Sequence, residues 1–380
     1  MRIRETKTQR NEKEMTEMGR INVTKSSMPS FEEYTNELRP VWESRWLSNR
    51  GMASKEFETE LKKYLGCENV WLFANGHVAL EVALQALGIK GEVITTPYTH
   101  VSTTNAIVRN GLTPVFVDVK EDNYTVNPEL IEGAITEKTA AIVATHVYGF
   151  LCDIEAIDKI ACKHNLKVIY DAAHAFGVTL NGVSAANFGD AAMFSTHATK
   201  VFHTIEGGIV TYKDAEMFKY MRCLVNFGFI NEEEVVRIGT NARMNEFEAV
   251  MGICNLRHID EEIAKRRLVG ERYIERLAGI PGIKLIEPEK GLVWNYAYFP
   301  VIFDGYKENR NEIKAKLEKE DIYARKYFYP TTNCFSCYKE QYGSLDVPVA
   351  LHAAECVLTL PIYADMTVED ADRICDVILR

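Results

Sequence analysis

The feature that most constrains the fold is a regular alternation of short apolar runs with longer amphipathic segments, from about residue 68 to residue 212. This alternation is typical of parallel sheets built from strand–helix–strand units. Several runs are continuously apolar, such as Val115–Val117 and Val168–Tyr170, as expected of strands that helices cover on both faces. The sequence therefore predicts an α/β fold with a mostly parallel, seven-stranded sheet, whose strands are Val70–Ala74, Glu92–Thr96, Pro114–Val119, Ala141–His146, Lys167–Asp171, Ala191–Ser195 and Gly208–Tyr212.

The character of the sequence changes after about Arg243. A long charged stretch with helical periodicity, Asn245–Leu277, is followed by the helix breakers Pro281 and Pro288 and then by shorter elements. We predict a large domain over residues 21–279 and a smaller C-terminal α+β domain over residues 280–380. Residues 1–20 are polar and charged and predict a mobile tail, in which Met15 and Met18 are alternative start sites.

Charge and cysteine content exclude several classes of protein. The formal net charge of -10 argues against nucleic acid as the main partner, because such binders carry a surplus of Lys and Arg. No apolar stretch predicts a secretory signal or a membrane span. The nine cysteines are scattered and odd in number, which indicates free thiols in a reducing compartment, by default the cytoplasm. The pair Cys334 and Cys337 lacks a second Cys or His pair at zinc-like spacing, so we predict no metal site.

The first candidate site is the junction Ala74–Leu80, where an apolar strand ends at Gly76 and an amphipathic helix begins. The first residues of a helix offer free N–H groups and the positive end of the helix dipole to a phosphate. A plain turn between a strand and a helix is the alternative interpretation of this segment.

The second candidate is Asp171, which directly ends an apolar strand. Open α/β sheets bind ligands beyond the carboxyl ends of their strands, so this acid is placed to face a ligand. A carboxylate opposite a pyridine nitrogen keeps that nitrogen protonated and makes the ring an electron acceptor. The alternative is a helix N-cap aspartate. His174, three residues later, either lies against such a ring or is a hydrogen-bonded core histidine.

The third candidate is Lys200, which ends the segment Met193–Lys200 and is followed by Glu206-Gly207-Gly208. A lysine beside a hydroxyl-rich backbone and a Gly-Gly turn fits an amine used as a covalent imine partner. Ser195 in the same segment is free to bond a phosphate. A solvated surface lysine is the ordinary alternative, and the spacing from Asp171 favours the functional interpretation.

Together with Gly239–Glu246, these segments resemble the DegT/DnrJ/EryC1/StrS sugar aminotransferases, which have the pyridoxal-phosphate (PLP) fold type I. The resemblance extends from about Ile21 to the C-terminus. It implies that PLP is the cofactor, held by Lys200 as a Schiff base. It also implies that the remaining cofactor contacts come from Asp171 at the pyridine nitrogen, His174 beside the ring, Ser195 and Gly76 at the phosphate, and Asn241.

By the same resemblance, Asn241 reaches the phosphate of a neighbouring subunit, which predicts a homodimer with composite sites. Two positions depart from the family pattern. His77 stands where relatives commonly have Thr, and His100 stands where they commonly have a stacking Phe or Trp. The backbone N–H of His77 can still bind phosphate, and the flat imidazole of His100 can still stack on a ring.

The resemblance implies that glutamate supplies an amino group to C4 of a nucleotide-linked 4-keto-6-deoxyhexose. His197-Ala198 replaces the aromatic-Pro pair of C3-aminating relatives, which favours the branch that makes dTDP-4-amino-4,6-dideoxyglucose. A GDP-perosamine-type synthase and a C3-aminating enzyme remain alternatives. So do a PLP enzyme that acts on amino acids alone and a non-enzymatic PLP-binding protein.

The segment Ala324–Pro330 places two cations among aromatic residues. Cations next to aromatic rings suit the recognition of a sugar nucleotide, so we predict substrate contacts at Arg325, Lys326 and Tyr327. A strand with exposed basic residues is the alternative.

Overall fold

The structure is a computed structural model in which residues 19–380 are described. Of the predicted tail, residues 1–18, including Met15 and Met18, lie outside the described residues. Among residues 19–380, no helix combines the length and the apolar character needed to cross a membrane.

Thirteen strands occur within the described residues, and several are only two or three residues long. They are β1 (Val70–Phe73), β2 (Glu92–Thr95), β3 (Thr113–Phe116), β4 (Thr139–Thr145), β5 (Lys167–Asp171), β6 (Thr179–Leu180), β7 (Val183–Ser184), β8 (Ala191–Ser195), β9 (Gly208–Tyr212), β10 (Ile283–Leu285), β11 (Leu292–Val293), β12 (Phe299–Phe303) and β13 (Val357–Leu360).

The α-helices of the described chain are numbered in the same way. They are α1 (Phe31–Ser44), α2 (Met52–Leu65), α3 (Gly76–Ala86), α4 (Val101–Arg109), α5 (Pro128–Ile131), α6 (Ile154–His164), α7 (Met217–Leu224), α8 (Glu246–Leu277), α9 (Arg310–Glu318), α10 (Lys339–Tyr342), α11 (Pro348–Cys356) and α12 (Val368–Leu379).

The largest sheet of the described chain has seven strands in the order β1-β9-β8-β5-β4-β2-β3. Every neighbouring pair is parallel except the two formed by β9, which runs antiparallel to β1 and β8. The predicted α/β fold with a mostly parallel, seven-stranded sheet is confirmed. The predicted strand Pro114–Val119 is too long, because β3 ends at Phe116 and Val119 instead forms an isolated bridge with Val126. Pro114 is tolerated because β3 is an edge strand, where a missing N–H costs no ladder bond.

Helices cover both faces of this sheet, as predicted. Helices α3, α4 and α7 bury Leu80, Ile107 and Met221 against one face. Helices α2, α6 and α8 bury Phe57 and Ile157, among others, against the opposite face. Since both faces are covered, the strands can be apolar along their whole length.

A second core lies in the C-terminal region, around the antiparallel sheet β10-β12-β13. Helix α8 is 32 residues long and connects the two cores. It begins at a capping box formed by Asn245 and Glu248 and spans about 48 Å at the usual rise per residue. Its N-terminal half packs on the large sheet, whereas Val269 and Tyr273 belong to the C-terminal core. The predicted boundary between residues 279 and 280 stays a prediction.

The segment of residues 21–27 crosses from the C-terminal region to the loop after β8. The backbone of Ile21 pairs with the chain around Ile322, through Ile21 N–H to the Asp321 carbonyl oxygen at 2.9 Å. The carbonyl of Val23 accepts a hydrogen bond from the N–H of Ile362 at 3.2 Å. Ser26 Oγ then donates to the carbonyl oxygen of Ala198 at 2.6 Å. The segment therefore braces the loop that carries Lys200.

Candidate active site

The carboxyl ends of β1, β5 and β8 meet at one edge of the large sheet, because these three strands run in the same direction. Gly76 begins the helix that follows β1, Asp171 ends β5 and Ser195 ends β8. The three candidate segments of the sequence therefore converge at the edge where α/β sheets bind ligands.

Asp171 is buried, with 4% of its surface exposed, and both of its carboxylate oxygens are hydrogen-bonded. Oδ2 accepts from Thr103 Oγ1 at 2.6 Å, and Oδ1 accepts from the N–H of Ala173 at 3.1 Å. Thr103 belongs to a row of buried hydroxyls, since Thr99 Oγ1 lies 3.0 Å from Thr103 Oγ1 and 2.9 Å from Thr145 Oγ1. These bonds fix the orientation of the carboxylate and satisfy both of its oxygens.

Gly76 and Ser195 lie in direct contact. A Cβ atom at position 76 would come within 2.9 Å of Ser195 Cβ, so only glycine permits this approach. On the other side, a Cβ at Gly208 would come within 2.5 Å of the carbonyl oxygen of Asn75. The N–H groups of Gly76 and His77 open helix α3 and have no carbonyl partner within it, whereas Asn75 Oδ1 caps the N–H of Val78. The Ser195 hydroxyl and these two N–H groups form a cradle suited to a phosphate.

Lys200 follows β8 on the braced loop, and its side chain is partly buried. Its Nζ donates a hydrogen bond to Tyr298 Oη at 3.2 Å. Burial lowers the pKa of the Lys200 amine below the usual value for lysine, whereas the nearby Asp171 carboxylate acts in the opposite direction. An amine that loses its proton more readily than a surface lysine is suited to act as a nucleophile and as a base.

His174 is buried beside Lys200 and Tyr298. Its Nδ1 accepts a hydrogen bond from the N–H of Tyr148 at 3.1 Å, and burial together with the charge of Lys200 lowers the pKa of the imidazole well below its usual value. His174 is therefore a neutral ring with its hydrogen on Nε2. Its centroid lies 4.5 Å from that of Tyr298, so His174, Tyr298 and Lys200 form one cluster.

The two histidines that depart from the family pattern both contact Ser102. His77 Nδ1 lies 2.9 Å from Ser102 Oγ, and its Nε2 lies 3.3 Å from Glu81 Oε1. His100 caps helix α4, where its Nδ1 accepts from the N–H of Ser102 at 3.2 Å. The imidazole of His77 is thus held between α3 and α4, which leaves its backbone N–H as its contribution to the cradle.

The structure separates the three predicted substrate residues. The guanidinium of Arg325 lies over the ring of Tyr327 at 4.6 Å, and Tyr327 stacks on Tyr298 with 5.1 Å between centroids. Arg325 and Tyr327 therefore belong to the surroundings of Lys200. Lys326 instead places Nζ 5.1 Å from the ring centroid of Tyr329, which also lies under the guanidinium of Arg310.

Asn241 is exposed and does not join the Lys200 cluster within the described chain. Its Oδ1 accepts from Arg243 Nη2 at 2.9 Å, and its backbone pairs with Asn226. Exposed apolar side chains lie on the adjoining segment, including Phe227, Ile230 and Ile238, the last with 96% of its surface exposed.

Sequence reasoning missed two residues of the site. Tyr298 is one of several aromatic residues ahead of β12, and nothing in its spacing distinguishes it from core residues. Thr103 lies in a helix that follows β2, and its bond to Asp171 exists only because β2 and β5 flank β4 in the sheet. The hydroxyl-rich segment Thr99–Thr104 is the one signal in the sequence that points to Thr103.

Comparison with known proteins identifies the family of the chain. The model of the DegT/DnrJ/EryC1/StrS aminotransferase family matches residues 30–379. A dTDP-4-amino-4,6-dideoxy-D-glucose transaminase of Shigella dysenteriae is 41% identical over 348 residues, which cover 91% of this chain and 95% of that protein.

Two solved structures have the same fold. The crystal structure of DesI in the presence of its TDP-sugar product has a TM-score of 0.90 and 31% identity, with 95% of this chain and 92% of that chain covered. A putative sugar aminotransferase from Streptococcus pneumoniae, solved in its PLP form, has a TM-score of 0.86 and 26% identity, with 93% and 97% covered. The chain therefore belongs to the DegT/DnrJ/EryC1/StrS aminotransferase family.

Proposed function

We propose that this protein is a PLP-dependent aminotransferase that moves an amino group from glutamate to C4 of dTDP-4-keto-6-deoxyglucose, giving dTDP-4-amino-4,6-dideoxyglucose. The observation that carries the proposal is the convergence of three groups at one sheet edge. These groups are the Lys200 amine, the buried Asp171 carboxylate and the cradle of Gly76, His77 and Ser195.

The residues at this edge fit PLP. Gly76 lets the start of α3 approach Ser195, because a Cβ at position 76 would come within 2.9 Å of Ser195 Cβ, and the donors of the cradle are one hydroxyl and the free N–H groups at the start of α3. Asp171 would hold the pyridine nitrogen in its protonated form, and His174 would lie beside the ring as a neutral imidazole. When bound, PLP supplies an electron sink for the bond that breaks at the amino donor.

Lys200 has two tasks in the proposed reaction. As a partly buried amine with a lowered pKa, Lys200 is the residue that would hold the cofactor covalently when PLP is bound. Its freed Nζ then takes the proton from the α-carbon of glutamate and returns it during the transfer. Tyr298 Oη holds Nζ through the 3.2 Å hydrogen bond and so limits where that proton can be delivered.

The nucleotide sugar is assigned from both the site and the relatives. Arg325 is exposed beside the Lys200 cluster and offers a planar cation to a diphosphate or a base. The Shigella relative is named for a dTDP-linked 4-amino sugar, and DesI was solved with a TDP-sugar product.

We further propose a homodimer with composite sites. Asn241 is exposed next to the apolar side chains of Phe227, Ile230 and Ile238, and such a surface is suited to contact with a second copy. In the dimer, Asn241 would complete the phosphate site of the partner subunit. The compartment that fits is the cytoplasm, because all nine cysteines are free thiols.

The decisive assay offers the purified enzyme, PLP and glutamate to three sugars in parallel. These are dTDP-4-keto-6-deoxyglucose, its 3-keto isomer and GDP-4-keto-6-deoxymannose, with the product identified by mass spectrometry and the position of the amine fixed by NMR. We expect the dTDP-linked 4-keto sugar to have the highest kcat/KM. Preference for the 3-keto isomer would refute C4 chemistry, whereas preference for the GDP sugar would overturn only the nucleotide.

A further inference from the structure

Asp304, His352 and Cys356 bring three metal-binding side chains together in the C-terminal region. Their donor atoms all lie within 4.8 Å of one another. His352 and Cys356 are four residues apart on helix α11 and so project from the same face, and Asp304 directly follows β12. We propose that these three residues bind a borderline divalent cation such as Zn²⁺, with one coordination position open to water.

The distances around His352 support tetrahedral coordination. Its Nε2 lies 3.4 Å from Asp304 Oδ2 and 3.7 Å from Cys356 Sγ. Zinc bonds of about 2.0–2.1 Å to nitrogen, about 2.0–2.2 Å to oxygen and about 2.3 Å to sulfur give tetrahedral edges of about 3.4 Å between N and O and about 3.6 Å between N and S. Two of the three donor pairs therefore already lie at the separation that a shared zinc ion requires.

The donor types favour zinc over magnesium or calcium. A thiolate and an imidazole suit zinc and other borderline or soft cations, whereas Mg²⁺ and Ca²⁺ prefer sites made of oxygen atoms alone. The cluster also needs no partner protein, since all three ligands belong to one chain. Sequence spacing could not reveal it, because Asp304 precedes His352 by 48 positions and the chain has no paired CxxC motifs around it.

Lys284 on β10 competes with a cation for the same carboxylate. Its Nζ lies 2.8 Å from Asp304 Oδ2, the oxygen that faces His352. A bound dication would have to displace this ammonium group or bind beside it against charge repulsion. The site should therefore bind zinc more tightly when the charge of Lys284 is removed, and no purely structural role of the cluster predicts that gain.

The test measures Zn²⁺ affinity of the purified full-length protein by competition with a chromophoric chelator. We expect one zinc equivalent in the wild type. Removal of a ligand in Cys356→Ala or His352→Ala should weaken binding at least about tenfold. Lys284→Met should tighten it about fivefold or more. Cys337→Ala, which removes an exposed thiol outside the cluster, is the matched control and should leave the affinity unchanged.

A second measurement needs no variant. Co²⁺ bound to the wild-type protein should show thiolate-to-cobalt charge-transfer absorption together with the visible bands of a tetrahedral ion, because Cys356 is a ligand. The proposal is overturned if the charge-transfer band is absent, if Cys356→Ala binds zinc as tightly as the wild type, or if Lys284→Met binds it more weakly.

Discussion

Tyr298 Oη accepts a hydrogen bond from Lys200 Nζ across 3.2 Å, although 98 positions separate the two residues in the chain. The bond links the loop after β8 to the segment that leads into β12 of the C-terminal sheet. The bond also predicts the direction in which the pKa of Lys200 should change when Tyr298 is replaced. A hydrogen bond accepted by Tyr298 stabilises the charged ammonium form, so it opposes the lowering of the pKa by burial.

Tyr298→Phe removes this acceptor and should lower the pKa of Lys200 further. The neutral amine is the form that reacts, and a lower pKa raises its fraction at a given pH. The pH at which the labelling rate of Lys200 begins to fall on acidification, the acid limb of the profile, should therefore be lower in the variant. The measurement is the pH dependence of Lys200 labelling by an amine-selective reagent in the cofactor-free protein, followed by mass spectrometry. In the wild type, the pH of half-maximal labelling should itself lie below 10.5, the usual pKa of lysine. An unchanged or upward-shifted limb in the variant would contradict the role given to the hydrogen bond.

Lys200→Ala should abolish transamination and leave a folded protein, because only a primary amine can attach the cofactor and carry the proton. The visible absorbance of the protein-bound Schiff base should disappear as well. Circular dichroism and the melting temperature report on folding, and Lys319→Ala, an exposed lysine at the end of α9, is the matched control. Transamination at the wild-type rate in Lys200→Ala would falsify the assignment.

Asp171→Asn should lower kcat by several orders of magnitude and weaken the retention of PLP, because an amide no longer stabilises a protonated ring. The side chain keeps its shape, so the fold should survive. The measurement combines steady-state rates with equilibrium dialysis of the cofactor. A near-normal rate would mean that Asp171 only orders the turn after β5.

Thr103→Val should have a smaller effect of the same kind. It removes the 2.6 Å hydrogen bond to Asp171 Oδ2, and a lost hydrogen bond to a buried charge costs about 1.5–3 kcal/mol. We therefore expect PLP affinity to fall by about tenfold or more, as measured by dialysis. Thr103→Ser keeps the hydroxyl and should behave as the wild type. Equal losses in both variants would point to packing in place of the hydrogen bond.

Asn241→Ala and Lys200→Ala should each be inactive alone and should recover activity when mixed under subunit exchange. A heterodimer of the two contains one site with both Lys200 and a partner's Asn241 intact. With random exchange, half of the dimers are mixed, and each mixed dimer has one intact site out of two. About a quarter of the wild-type rate is therefore expected. Two outcomes refute the composite site: no recovery on mixing, or a fully active monomer in sedimentation.

Arg325→Gln should raise the KM for the nucleotide sugar more than it changes the half-reaction with glutamate, because the guanidinium of Arg325 is exposed and lies over Tyr327 at the border of the Lys200 cluster. Lys326→Gln is the natural comparison, since its side chain lies over Tyr329 next to Arg310. Stopped-flow spectra separate the two half-reactions. If Lys326→Gln raises KM more than Arg325→Gln does, the assignment of the two side chains is wrong.

Local sequence signals account for the central sheet and for Asp171. The strands β5, β8 and β9 begin and end at the predicted residues, because each is a short apolar run bounded by clear breaks. The position of Asp171 could be predicted, because a carboxylate that directly ends a buried strand lies at the edge where such sheets bind ligands. Tyr298 and Thr103 could not, since their partners are brought near only by the packing of distant strands. The same holds for the separation of Arg325 from Lys326, which depends on how the backbone of Arg325 pairs with Thr359.

The pairing of residues 21–23 has a consequence for synthesis of the chain. Ile21 and Val23 find their backbone partners at Asp321, Tyr323 and Ile362, about three hundred positions later. At ribosomal rates of about 5–20 residues per second, these N–H and C=O groups remain without those partners for about 15–60 s after they emerge. The bracing of the Lys200 loop by Ser26 belongs to the same segment. The segment that braces the Lys200 loop therefore gains its full set of backbone partners only after nearly the whole chain has been synthesised.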